Sequence, residues 1–383
     1  MKPRTMIAMS GGVDSSVAAL LLSKAGSPCE GVTMRLFDSL FAVDKPSFEG
    51  TGMRSAACSD NVSTDTATSL AALDAAANTD AARVADFLGI KHQQLDLSDA
   101  FAAKVVAPFV CGYRGGETPN PCIDCNREIK FGALFDHMLR NGFDQLATGH
   151  FARIVYDEQA SVFRLLKALD SSKDQSYMLY QLGQAELSKL VFPLGEMSKD
   201  QVRELAAQAK LPAADRPESQ DICFVIDGNY QRFLSSFSSS NTITGEIVDQ
   251  EGTVLGQHFG IEGFTIGQRR GLGVAVGHPL YVTDIDAETG RVTVGEQSDL
   301  YGSKALLRDF RAPVPTEVEP VMEVWAKHRY RSAAAPARLV MFDDGRYEVQ
   351  FDQPQKALTP GQALVCYIGD QVVAGGIIDK VRK

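Results

Sequence analysis

The chain has 383 residues, 44% of them hydrophobic and 22% charged, a composition that excludes a disordered or fibrous protein and gives room for two or three domains. Its net charge of −10 argues against a uniformly basic nucleic-acid-binding surface, and no run of about 18 consecutive apolar residues is present to span a membrane. Seven cysteines, at 29, 58, 111, 122, 125, 223 and 366, form an odd and low count that does not suit a disulfide scaffold and fits a reducing compartment.

Residues 5–10, TMIAMS, read as a strand of a buried parallel sheet that ends at a glycine pair. DSSVAALLLSKAG follows as a helix, with Asp14 or Ser15 expected to cap its start and Gly26 to end it. CEGVTMRLF is a second strand, AARVADFLGI a helix closed by Gly89, KHQQLDLS a strand, and FDQLATGHFARIV contains another. This alternation over roughly the first 200 residues predicts an α/β, Rossmann-like, doubly wound parallel sheet. Residues 38–79, rich in Ala, Ser, Thr and Asp and including Cys58, break the pattern and read as a surface insertion or mobile loop. MSKDQVRELAAQAKLP is a further helix. Beyond the Ser-rich SSFSSSN the texture changes to alternating runs split by Gly and Asp turns, among them DDG and GD, which predicts β hairpins and a small C-terminal β-barrel. The expected domains are residues 1–222 (nucleotide-binding and catalytic), 223–300 (a β-rich central linker domain) and 301–383 (the barrel). Charge follows the same division: residues 303–383 hold 12 Lys/Arg and 10 Asp/Glu, so they carry +2 and the remainder −12. A local basic groove is therefore compatible with an acidic whole. The first residues lack the apolar core and cleavage site of a secretory signal, so a cytoplasmic location is expected.

Five short segments carry chemistry. SGGVDSS, Ser10 to Ser16, lies between a strand and a helix, where glycines let backbone N–H groups converge on one anion and the helix terminus adds positive potential. The lysine of the common GxxxxGK[ST] loop is missing, so the pattern is a different phosphate loop. PNPCIDCNREIKF carries a Cys-x-x-Cys pair at 122 and 125, open to metal, redox or catalytic readings. Thr148 to His150 of ATGH follow a strand, where Gly149 permits close approach of a nucleotide and His150 faces the same crevice. KDQSYMLY, residues 173–180, sets a cation, an acceptor and an amide side by side, although alone it is only a polar helix start. Cys223 of DICF, alone, reads as a buried inert thiol.

SGGVDSS matches the loop of the ATP pyrophosphatase family. The succession SGGVDSS, TPNPCIDCNREIKF, LATGH, SSKDQSYMLY, ESQDICF, FTIGQRRGLG and a β-rich end with KHRYR resembles the tRNA-specific 2-thiouridylases along essentially the whole chain. The resemblance implies an ATP- and Mg2+-dependent transfer of sulfur to C2 of the wobble uridine of tRNAs for Lys, Glu and Gln, with a persulfide-donating partner protein and no membrane. Ala8, Met9, Ser10, Gly11, Gly12, Val13, Asp14 and Ser15 correspond to the ATP loop, and Met34 and Gly149 to adenosine contacts. Cys125 corresponds to the nucleophilic cysteine and Cys223 to the persulfide carrier, with a Cys125–Cys223 disulfide left as AMP departs. Asn120, Pro121 and Cys122 align with the segment that meets the target base, and His150, Lys173, Asp174, Gln175, Arg329, Tyr330 and Gln362 with positions that touch tRNA. The GQRRG and KHRYR segments would add phosphate contacts.

One position departs from the pattern. Many members carry Asp where Cys122 stands, and assign that carboxylate to proton handling. An ordinary thiol, with a pKa near 8.5, is a poorer base at neutral pH. Cys122 therefore invites a second route, an iron–sulfur cluster held by Cys122, Cys125 and Cys223. Two other classes compete. Another ATP pyrophosphatase that modifies RNA would have no use for Cys125 and Cys223 together. A non-catalytic RNA-binding protein with structural zinc at the CxxC would need a second ligand pair, and no second CxxC or HxxxH exists.

Overall fold

The computed structural model describes residues 2–37, 64–216, 222–225, 228–237, 244–274 and 276–382. Its first sheet is parallel. Strands β1 (Thr5–Ala8), β2 (Cys29–Arg35), β3 (Lys91–Asp96) and β4 (Gln145–Ala147) are joined by helices, and the short β7 (Leu190–Val191) completes the order β3-β2-β1-β4-β7. The chain runs outward from β1 through β2 to β3, then returns to place β4 on the other side of β1. Such a reversal opens a crevice at the carboxyl ends of the central strands. The expected Rossmann-like sheet is present, and the expected strands fall on it.

The stretch read as an insertion over 38–79 is corrected in part. Residues 38–63, with Cys58, lie outside the described residues, but Thr64–Leu88 is one helix. Its alanines look featureless on a hydropathy reading, yet Ala is the strongest helix former. Leu70 is fully buried, and the Asp74 carboxylate accepts from the N–H groups of Leu36 (3.0 Å) and Phe37 (2.8 Å), which fixes the chain as it leaves β2.

Hairpin β5 (Ala152–Asp157) and β6 (Val162–Lys167) leaves the parallel sheet although it directly follows β4. It extends a C-terminal sheet through a pairing of Leu166 with Gln371. The middle of the chain forms a separate four-stranded sheet, β10 (Tyr281–Asp286), β11 (Arg291–Gly295), β8 (Gly245–Val248) and β9 (Val254–His258). The last strands, β12 (Tyr301–Arg311), β13 (Val321–Lys327), β14 (Ala335–Met341), β15 (Tyr347–Lys356), β16 (Ala363–Ile368) and β17 (Gln371–Arg382), run in the order β12-β15-β14-β13-β16-β17. Pairing of β17 back onto β12 closes them into a barrel, which removes exposed edges. The expected turns close it: Gly345 of DDG and Gly369 of GD both have positive φ.

The barrel is seated on the first part by buried aromatic side chains. Tyr177, Tyr180 and Tyr367 are fully buried, and burial on this scale stabilises by roughly 2 kcal/mol per ring. Their hydroxyls are satisfied: Tyr177 donates to Ala363 O (2.8 Å), and Tyr367 meets Ser176 Oγ (3.3 Å). Arg308 clamps Glu117 with two parallel bonds of 2.8 and 2.7 Å. Thr118 N–H donates to Pro360 O (2.9 Å) and Gln362 donates to Thr118 O (2.6 Å). The segment leading into Cys122 is thus fixed by the barrel before the helix begins.

Candidate active site

The chain turns at Ser10–Gly12 after β1 and enters the helix Val13–Lys24. Neither Asp14 nor Ser15 caps this helix, as the sequence had suggested. Gly12 occupies the N-cap, and among the described residues no side chain caps the first-turn amides. Ser15 Oγ instead donates to Gly12 O (3.1 Å) and accepts from Ser10 N–H (3.2 Å), while Ser16 Oγ donates to Gly12 O (2.8 Å). The hydroxyls brace the loop from within and leave the helix N-terminus open to an anion. Gly11 has φ +72°, and a Cβ there would lie 2.8 Å from Asp80 Cβ and 2.9 Å from both Ala77 O and Arg216 Nη1. Only glycine fits.

Two cations that the sequence reading missed flank the loop. Lys199 is buried at the first turn of the helix Lys199–Gln208 and pairs with Asp14 at 2.5 Å. Arg216 donates to Gly11 O (3.1 Å) and pairs with Asp80 at 2.5 Å. A lysine in a first turn opposes the helix dipole, and that was the available signal for Lys199. Arg216, in DRPESQ, offered none.

Gly149 packs directly against the loop. A Cβ there would lie 2.8 Å from Asp14 C and 2.8 Å from Ser15 N, so its missing side chain admits the phosphate loop itself. Ala8 to Ser15, Met34 and Gly149 lie at or just beyond the carboxyl ends of β1, β2 and β4, three neighbouring parallel strands. Met34 is half-buried there.

The second half of the crevice is the helical run 121–140. Asn120 caps it, its Oδ1 accepting from Cys122 N–H (3.2 Å), and Pro121 takes the first position, where no N–H is missed. From Cys125 to Ala133 the helix is wound as a π-helix. Cys122 and Cys125 are half-buried, and Cys125 packs into an aromatic cluster that also receives Ile222 and Phe224. Phe224 lies 5.7 Å from Phe101, 5.4 Å from Phe109 and 5.0 Å from Phe233, ring centre to ring centre. This anchor brings Cys223 to the CxxC. Cys223 keeps its residue surface open to solvent while protein atoms crowd its sulfur, as on the floor of a crevice. It is not the inert buried thiol of the local reading.

All three thiols feel one another. Burial pushes Cys125 up to about 11, with further upward pressure from Cys122 and Asp124. Burial raises Cys223 too, followed by Cys125 and Cys122, and it raises Cys122, with Asp124 adding to it. Lys130 acts in the opposite sense on all three. Burial also raises Asp124 itself to about 6.

The positions proposed for RNA divide into two groups. Asp174 is buried and accepts from Ala168 N–H (3.0 Å), Ser176 N–H (3.1 Å) and Ser176 Oγ (2.9 Å). Gln175 exchanges bonds with Phe151 at 2.9 and 2.8 Å. Arg329 donates to Ala357 O (3.0 Å) and Thr359 Oγ1 (2.8 Å), and Gln362 holds Thr118. These four side chains serve the fold in the free chain, as do Asn120 and Pro121. His150 is buried, with Nε2 3.4 Å from Lys130 Nζ and Nδ1 2.6 Å from Thr148 Oγ1. Burial and then Lys130 hold its pKa well below the ordinary value, so the ring is neutral. Lys173 is half-buried in the turn before Asp174. Tyr330 is half-buried, lies 6.1 Å from Tyr177, has Lys327 Nζ 5.5 Å from its ring, and interacts electrostatically with Cys122. Arg269, Arg270 and Arg331 are exposed.

Among the described residues no group of three or more His, Cys, Asp or Glu side chains is arranged to hold a metal ion. The three thiols share one electrostatic neighbourhood without forming a ligand cage. Among the described residues, no helix is long and apolar enough to cross a membrane.

Family models match along the chain: the tRNA methyl transferase HUP domain over residues 3–227, the tRNA methyl transferase PRC-barrel domain over 231–296, and the aminomethyltransferase beta-barrel domain over 305–378. A protein of Carboxydothermus hydrogenoformans named tRNA-specific 2-thiouridylase MnmA is 42% identical over 99% of this chain and 98% of its own. A second of that name from Caldanaerobacter subterraneus is 44% identical over 99% of both chains. A third, from Moorella thermoacetica, is 43% identical over 99% of this chain and 100% of its own.

Proposed function

The chain belongs to the tRNA-specific 2-thiouridylase family, and from that premise we propose that it places sulfur on C2 of the wobble uridine in tRNAs for Lys, Glu and Gln. The observation that best supports this reading is the meeting of Cys125 and Cys223, nearly a hundred residues apart, beside a phosphate loop with bare helix amides. The two halves are continuous through Gly149, which touches Ser15, and His150, which touches Lys130.

ATP is a substrate. The open amides after Gly12 receive its phosphates, with Lys199 and Arg216 at the flanks. Asp14, which pairs with Lys199 in the free chain, is the loop carboxylate that would hold Mg2+, an ion usually held by one or two carboxylates together with substrate phosphates. The target base leaves the anticodon stack, packs on Tyr330 and meets the nucleotide. Attack of the base O2 on the α-phosphate releases pyrophosphate and makes C2 electrophilic. The terminal sulfur of a Cys223 persulfide then attacks C2 and AMP leaves. The Cys125 thiolate attacks the Cys223 sulfur, the original S–S bond breaks toward the base, and the Cys125–Cys223 disulfide forms. The persulfide sulfur takes up two electrons, and the two thiols supply them. The exposed surface of Cys223 suits loading by a persulfide donor protein.

The test is reconstitution with ATP, Mg2+, a persulfide donor and unmodified tRNA. AMP and 2-thiouridine are expected together. Absence of thiolation both in air and under strict anaerobiosis would sink the proposal.

A further inference from the structure

An α-helix would not turn Cys125 and Lys130 to the same side. Five residues advance about 500°, leaving the later side chain about 140° away. A π-helix bonds residue i to i+5, so residues five apart lie one turn apart. The π segment Cys125–Ala133 therefore brings Lys130 round toward the side of the helix that carries Cys125, and the two interact electrostatically. Its far side is fixed by His150, whose Nε2 lies 3.4 Å from Lys130 Nζ and whose ring is wedged 5.6 Å from Phe131 and 5.7 Å from Phe192. An ammonium can only donate, so Nε2 accepts and Nδ1–H donates to Thr148 Oγ1 at 2.6 Å. Among the described residues Lys130 makes no ion pair and is the cation that faces Cys122, Cys125 and Cys223 together.

We propose that Lys130 is a positioning residue for sulfur chemistry: the π turn and His150 hold its ammonium over Cys125 and Cys223, where it stabilises their sulfur anions. The use made of those anions rests on the sulfur-transfer reading above, whereas the placement of the charge does not. The other groups facing the thiols are Asp124, from the same helix, toward Cys122 and Cys125, and Tyr330, from the barrel, toward Cys122. Neither supplies positive charge. Position 122 is itself a thiol and not a carboxylate, so the Lys130 charge is left to the sulfurs.

The test reads the thiols without tRNA or ATP, so its failure is distinct from failure of the reaction. Rates of alkylation by iodoacetamide are followed at Cys125 and Cys223 by peptide mass spectrometry across pH 7 to 10. Lys130→Gln, which keeps a donor for His150, is expected to slow both by about three- to tenfold at pH 8 and to move the midpoint upward, since one pKa unit changes the thiolate fraction tenfold and lower basicity partly offsets it. Lys130→Arg should restore the rate. Lys104→Met, which removes an exposed cation paired with Glu128 at 3.0 Å, should change neither thiol. Unchanged rates and midpoints in a folded Lys130→Gln protein overturn the proposal. If that variant does not fold, the unaltered chain decides: anionic iodoacetate, relative to neutral iodoacetamide, should be favoured at Cys125 over Cys29, a half-buried thiol whose shift comes from burial alone. An equal ratio at the two cysteines overturns it as well.

Discussion

The phosphate loop and the thiol cluster meet through Gly149, His150 and Lys130, yet they are assembled over very different ranges of sequence. Seven consecutive residues, Ser10 to Ser16, make the loop, and its own hydroxyls brace it. The thiol cluster takes Cys122 and Cys125 from a π-wound helix, Cys223 from an aromatic anchor about a hundred residues later, and Tyr330 from the barrel. The loop stands ready for an anion before any ligand arrives. The thiols are held protonated by burial, with one cation opposing it, so their reactivity depends on tertiary placement and on what binds. Substitutions that strike one end and spare the other test this division.

The largest separation is expected from Cys223→Ser and Cys125→Ser. Each should abolish 2-thiouridine formation, by at least about a thousandfold, while ATP affinity stays at the unaltered value. The double variant should be no worse than either single one, because residues that act as a unit fail as a unit. Mass spectrometry of digested tRNA and equilibrium ATP binding provide the two readings. Residual thiolation in Cys223→Ser at the normal rate would assign sulfur delivery elsewhere.

Gly149→Ala should do the reverse. The new methyl would stand 2.8 Å from Asp14 C and Ser15 N, atoms of the backbone that cannot rotate away. Overpacking of this kind costs about 1–3 kcal/mol, which corresponds to a rise of roughly five- to 150-fold in KM for ATP if it falls on the loop. Cys125 alkylation should be untouched. A variant with normal ATP kinetics would show that the loop and the ATGH turn move apart freely.

The same contrast governs what the sequence made legible. The loop, its strand and the doubly wound sheet could be read because their signals are contiguous and periodic. The helix Thr64–Leu88 was obscured because alanine carries helix propensity without an apolar stripe. Lys130 stood in plain view in NREIKF, but a π turn cannot be inferred from spacing that an α-helix would send elsewhere. Asp174, Gln175, Arg329 and Gln362 were assigned to RNA through resemblance. Each is a polar side chain bound to backbone, and such partners are set by tertiary placement rather than by local pattern; for Gln362 the partner, Thr118 O, lies across the contact between the barrel and the first part.

A broader effect, on stability, should appear in acid. His328 is buried, its Nδ1 has no partner among the described residues, and burial followed by Arg329 lowers it from 6.5 to about 4. His150 is lowered too. A depressed folded-state pKa gives stability that is complete above about pH 6.5 and is lost as pH falls, because the unfolded chain then binds the proton first. By pH 5 this amounts to about 2 kcal/mol for His328, and His150 acts in the same direction. Asp124, raised to about 6, acts oppositely and returns roughly 1 kcal/mol over that interval. Urea unfolding should therefore show a net decline of about 1 kcal/mol or more between pH 6.5 and 5. A flat or rising profile would break this assignment.

The smallest effect, and the sharpest for the sulfur end, is expected from Cys122→Asp. The helix cap, Asn120 to Cys122 N–H, is a backbone contact that survives the change. The introduced carboxylate would face Lys130, the cation that now opposes burial at all three thiols, and would draw its charge away from Cys125. Cys125 alkylation should slow by about threefold. Thiolation should persist at a rate reduced by a similar factor, since a carboxylate also offers a better base than a thiol raised by burial. If thiolation vanishes while Cys125 and Cys223 still alkylate, Cys122 itself carries sulfur or a disulfide in the cycle. If alkylation of Cys125 does not change, the Lys130 charge is directed elsewhere, and the phosphate and sulfur ends are electrostatically independent despite their contact through His150.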